Sequence, residues 1–110
     1  MSAILSTIET EPDTAQQPRY GRVEAYFHSD STTQHKGGAM VTVLCDSEAG
    51  ARTEVFIRFA RLTAKMAYAS SATCWFDIAQ MFPEMTGELN TTQVALGEHV
   101  IMTRAVVMKV

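Results

Sequence analysis

Positive charge is scarce in this sequence. Nine Lys and Arg stand against twelve Asp and Glu, for a net charge of −3 and a pI of about 5.5. Such a chain lacks the summed positive field that draws a protein to phosphate backbones, which disfavours direct nucleic-acid binding. Cysteine is scarce too. Cys45 and Cys74 form no CxxC pair and no zinc-ligand spacing, so both read as buried free thiols in a reducing compartment. No apolar run approaches the ~20 residues that span a bilayer. The N-terminal stretch has neither a basic n-region nor a long apolar h-region, so it does not read as a signal peptide. These absences exclude a zinc module and a membrane protein and make the cytoplasm the default location.

What is present suits one small domain. Hydrophobic residues make up 46% of the 110, enough for a single modest core. Residues 1–19 are polar and punctuated by Pro12 and Pro18, and are expected to be a flexible tail. The domain itself is expected over residues 20–110. From Gly21 to Asp30 the pattern alternates, with Val23, Ala25 and Phe27 on one face and Glu24, Tyr26 and His28 on the other. Alternation of this kind predicts a strand buried mainly on one side. A polar loop ends in Gly37-Gly38, read as a hairpin turn, and Ala39–Cys45 is apolar enough for a central strand.

The period then changes. Phe56, Phe59, Ala60, Thr63, Met66, Ala67 and Ser70 recur at three and four residues, which predicts an amphipathic helix of about five turns. Thr73 to Phe82 predicts a shorter helix capped by Ser71 or Thr73 and stopped by Pro83. Glu84 to Gln93 reads as a polar loop, and Val94 to Val110 as a closing strand apolar on both faces. The predicted order is β-β-α-α-β. This is an α+β fold, a three-stranded antiparallel sheet with helices packed on one face. The other sheet face is left bare, and a second copy of the chain could cover it.

Candidate chemistry is thin. His28 and Cys45 on neighbouring strands could form a nucleophile pair, but no third orienting group stands out. His28, His35 and His99 show no metal-ligand spacing. Gly37-Gly38 precedes a strand rather than a helix and is no phosphate loop. Seven methionines and the Trp75-Phe76 pair read as packing, and Arg58, Arg61 and Lys65 as a solvated helix face. No catalytic residue, metal or cofactor is predicted. The linker from Asp46 to Arg52 is the exception: a short strand-to-helix loop with an acid at its tip can project into another protein.

Three passages in order resemble the core of the elongation factor Ts family. They are Gly21-Arg22-Val23-Glu24-Ala25-Tyr26-Phe27-His28; then Gly38 through Cys45 with the linker Asp46-Ser47-Glu48-Ala49-Gly50-Ala51-Arg52; then Leu96-Gly97-Glu98-His99-Val100-Ile101-Met102-Thr103-Arg104. The resemblance implies a non-enzymatic protein of translation that binds elongation factor Tu and pairs with a second copy through its sheet. It implies partner-facing roles for His28, Ser47, Glu48, Ala49, Leu96 and Gly97. The family wedges an Asp-Phe pair into Tu to speed nucleotide release. Here Glu48 and Ala49 stand in that place, so the resemblance supports Tu binding better than it supports the exchange step. The alternative is a dimeric assembly module that keeps the fold without Tu binding. The family's N-terminal helical module has no counterpart in the tail, and the reduced size suggests a phage-encoded version.

Overall fold

The computed structural model describes residues 18–29 and 37–109. Residues 1–17 of the tail expected over 1–19, and residues 30–36 of the expected loop with His35 among them, lie outside the described residues. The chain order is β1 (Tyr20–His28), β2 (Gly37–Cys45), α1 (Glu48–Ala51), α2 (Glu54–Ser70), α3 (Trp75–Met81), α4 (Glu84–Leu96) and β3 (Val100–Lys109). The α+β architecture is as expected: one antiparallel sheet in the order β1-β2-β3, with helices on one face.

β2 is central because its alternate residues Ala39, Val41, Val43 and Cys45 are all buried beneath the helices. α2 lies over β1 and β2 and supplies the other half of the core. Thr53 caps it by accepting the Phe56 N–H, and Glu54 in the first turn suits the helix dipole. Its buried stripe is Phe56, Phe59, Ala60, Thr63, Ala64 and Ala67. Three alanines let the helix approach the sheet closely. Phe56 fills the space beside them, and its complete burial contributes about 1.5–3 kcal/mol. Thr63 donates its hydroxyl to the Phe59 carbonyl, so its polar group is satisfied within the helix.

Five local expectations are corrected. Glu84 to Gln93 is not a loop but most of α4, and β3 begins at Val100 rather than Val94. The helix was masked by a weak pattern: Met85, Leu89, Thr92 and Leu96 form its inward stripe, but threonine fills an apolar position and Asn and Gly interrupt the run. The linker after β2 forms the single turn α1, so the described residues hold four helices where two were expected. Ser71 is not an N-cap. It ends α2 in the left-handed region at φ 56°, and α3 starts after Cys74 without a side-chain cap. Gly37 and Gly38 are not turn residues but the first two of β2. Cys74 is exposed; only Cys45 is buried.

The largest surprise concerns β1. Its apolar set does not face the core. Arg22, Glu24, Tyr26 and His28 point to the helix side, while Val23, Ala25 and Phe27 point away. Register decides this: Tyr26, Glu24 and Arg22 pair with Ala39, Val41 and Val43, the buried set of β2. The helix side of this edge strand is closed by polar contacts instead. Glu24, with only 11% of its side chain exposed, accepts from Arg22 at 2.8 Å and Arg61 at 3.4 Å. Tyr68 of α2 stacks on His28 and tilts against Tyr26, with the Lys109 ammonium 4.7 Å from its ring. The open face therefore carries Val23, Phe27, Met40, Ile101, Val106 and Met108, with Phe27 66% and Met108 71% exposed.

Candidate functional site

The turn between β2 and α1 and the turn between α4 and β3 meet at one end of the sheet. Two carboxylates lock them together. Glu98 accepts the backbone N–H groups of Asp46 and Ser47 through Oε1 at 3.0 and 3.1 Å, and the Ser47 hydroxyl through Oε2 at 2.5 Å. In return Asp46 Oδ2 accepts the backbone N–H of His99 at 2.8 Å and lies 3.3 Å from its Nδ1. Each turn thus supplies the anion that satisfies the other's free amides.

Ser47 does a second job. Its Oγ accepts the Gly50 N–H at 2.9 Å and so caps α1. Space beside Gly50 is taken by the Glu98 carboxylate. A Cβ at this position would stand 2.6 Å from Glu98 Oε1, so a larger residue would make the carboxylate shift and loosen its bonds to the amides. On the other side, Gly97 ends α4 at φ 68°. The Gly97 and Glu98 N–H groups both return to the Gln93 carbonyl, which closes the helix and aims Glu98 across to Ser47. The Gln93 side chain then accepts the Val100 N–H, tying the start of β3 to the helix it follows.

Cys45 sits under this clasp. Its thiol donates to the Ser47 carbonyl at 3.3 Å. Burial pushes the thiol above its ordinary value of 9.0 against the opposing effect of the Ser47 backbone amide, and the charges of Glu98 and Asp46 push the same way as burial. A buried, protonated thiol is a poor nucleophile. Nor does His28 reach it. Cys45 pairs with Tyr20 and His28 with Gly37, so the two lie at opposite ends of nine-residue strands, on the order of 26 Å apart.

Of the six residues singled out as partner-facing, five gather here. Ser47, Glu48, Ala49, Leu96 and Gly97 share this end of the sheet, with Glu48, Ala49 and Gly97 exposed. Glu48 also pairs with Arg52 one turn on, at 2.8 Å. His28 stands apart at the far end, bound to Tyr26 and stacked on Tyr68. The residues sequence reasoning missed are Asp46 and Glu98. The signal for Glu98 was an acid directly after a glycine that could end a helix, which becomes informative only when that helix is recognised. Among the described residues no group of His, Cys, Asp and Glu is arranged to hold a metal ion, and no helix is long and apolar enough to cross a membrane. Compared with known proteins, the sequence matches no family model and no curated relative.

Proposed function

We propose that this chain is a non-enzymatic interaction protein on a factor Ts-like core, which binds elongation factor Tu through the end of the sheet bearing Ser47, Glu48, Ala49, Leu96 and Gly97. One observation carries the reading. Two segments about fifty residues apart, each of which resembles a contact segment of that family, are fastened side by side by the Glu98–Ser47 bonds. A contact surface needs them adjacent and fixed. His28, at the other end of the sheet, is not part of this surface.

The exposed tip at Ala49 bears a methyl group where the family inserts a phenyl ring. A buried aromatic anchor is worth on the order of 2–4 kcal/mol at an interface. Binding without acceleration of nucleotide release follows, in the cytoplasm where Tu resides. Capture of Tu from a bacterial lysate by the tagged chain, and its loss on Glu48→Lys, is the expected result. No recovery of Tu by the wild-type chain would end the reading.

The open sheet face favours a second reading, pairing of two copies, which holds with or without Tu. Val23, Phe27, Met40, Ile101, Val106 and Met108 together expose on the order of 600 Å² of side-chain surface, at the top of the range for the largest patch of a monomer. With the rest of the face this approaches the ~800 Å² per partner of a standard interface. Arg104, the single charge among the described residues of that face, lies on the edge strand β3, where its side chain can extend to solvent.

A further inference from the structure

We infer that the cleft between the start of β1 and α1 binds an oxyanion, a phosphoryl or carboxylate group, through Arg19, Arg22 and Arg52. The cleft has a volume of about 470 Å³ and is lined by these three arginines and Glu48. Three of the nine basic residues of an acidic chain therefore converge on one concavity, where three guanidiniums against Glu48 and Glu24, the partner of Arg22, leave a local charge of +1. That positive surplus on an acidic chain favours an anion in the cleft.

The three arginines are held differently, and the difference identifies the vacant capacity. Arg22 is fixed by Glu24 at 2.8 Å, so its guanidinium is positioned while leaving donors unused. Arg52 is held by Glu48 across one turn, in a pair whose side chains are 73% and 69% exposed, which water weakens and an incoming anion can rearrange. Arg19 has no carboxylate partner among the described residues. Its backbone N–H donates to the Cys45 carbonyl at 3.1 Å, which anchors the residue at the mouth of the cleft. Planar guanidinium forks of this kind match the two oxygens of a carboxylate or phosphate. Glu48 acts as the resident competitor: it occupies Arg52 when no anion is bound.

The test is a titration of the full-length chain followed by amide resonances, at constant ionic strength set with chloride. Inorganic phosphate and a tetraglutamate peptide form two arms. The expected result is saturable movement of the Arg19, Gly21 and Arg52 signals in at least one arm. The double variant Arg19→Glu, Arg52→Glu should weaken that binding at least tenfold with the remaining spectrum unchanged, as both side chains are at the surface. Saturation with phosphate alone assigns a small phosphoryl ligand; saturation with the peptide assigns an acidic protein segment. Glu48→Gln should tighten binding severalfold by releasing Arg52. Movement that is linear, equal with chloride or indifferent to the arginine variants overturns the site. The outcome is independent of Tu: Glu48→Gln is expected to weaken Tu capture while strengthening anion binding, so the two readings fail separately.

Discussion

Replacing Gly50 by alanine adds one methyl group to α1, and its effect should change sign with the residue at position 98. In the wild-type chain the new Cβ would stand 2.6 Å from Glu98 Oε1 and 3.0 Å from its Cδ, so the carboxylate must withdraw. Withdrawal loosens its bonds to the Asp46 and Ser47 amides and to the Ser47 hydroxyl. Hydrogen bonds to a charged group contribute about 1.5–3 kcal/mol each, and water replaces part of what is lost at this half-exposed site. Against this, alanine is better than glycine in a helix by about 1 kcal/mol, less in a helix of one turn. Gly50 is not at positive φ, so alanine meets no backbone penalty. The sum is a net destabilisation of about 1–2 kcal/mol. With Glu98→Ala already in place the obstruction is gone, and Gly50→Ala should stabilise by about 0.5–1 kcal/mol. Urea unfolding of the four chains in this cycle measures both values. A stabilising Gly50→Ala in the wild-type background, or an equal cost in both backgrounds, would refute the clasp.

Two further outcomes follow from other parts of the molecule. Phe27→Asp should leave the fold intact, because the ring is largely exposed in the single chain, but should weaken self-pairing by about 2–4 kcal/mol, roughly 30- to 1000-fold in the dissociation constant. Light scattering across a concentration series reads this, and a wild-type chain that stays monomeric at high concentration would contradict the pairing. For the thiols, a disulfide reagent should modify exposed Cys74 rapidly and leave buried Cys45 unreacted until the chain unfolds. Because the Cys45 proton is held more tightly in the folded chain, its contribution to stability is complete below pH 9.0 and declines as pH rises past that value, where the unfolded thiol ionises first. Cys45→Ala should remove this share of the alkaline decline; identical pH profiles for the two chains would count against it.

Much of the architecture was legible because it rests on local periodicity. The three- and four-residue spacing from Phe56 to Ser70 places α2 and its buried stripe. The apolar run Ala39–Cys45 places the central strand. α4 was illegible for the same reason: Thr92 serves as an apolar residue and the stripe is one side chain wide. The candidate site was half legible. The linker from Asp46 to Arg52 and the Leu96-Gly97 pair could be singled out as segments. Their union could not, since Glu98 reaches Ser47 across a separation in sequence of 51 that no local pattern encodes.

The sequence by itself determined which residues alternate, which recur with helical period and where backbone breaks fall, since these follow from the geometry of one chain segment. Only the tertiary structure decided the direction in which β1 faces. Alternation assigns Val23, Ala25 and Phe27 to one side and Arg22, Glu24 and Tyr26 to the other, but it does not say which side meets the core. Pairing with β2 decides that, because Glu24 opposite Val41 must share its face. The choice is stable because Arg22 and Arg61 neutralise Glu24 beneath α2. It leaves the hydrophobic side of β1 outside, where burial requires another molecule.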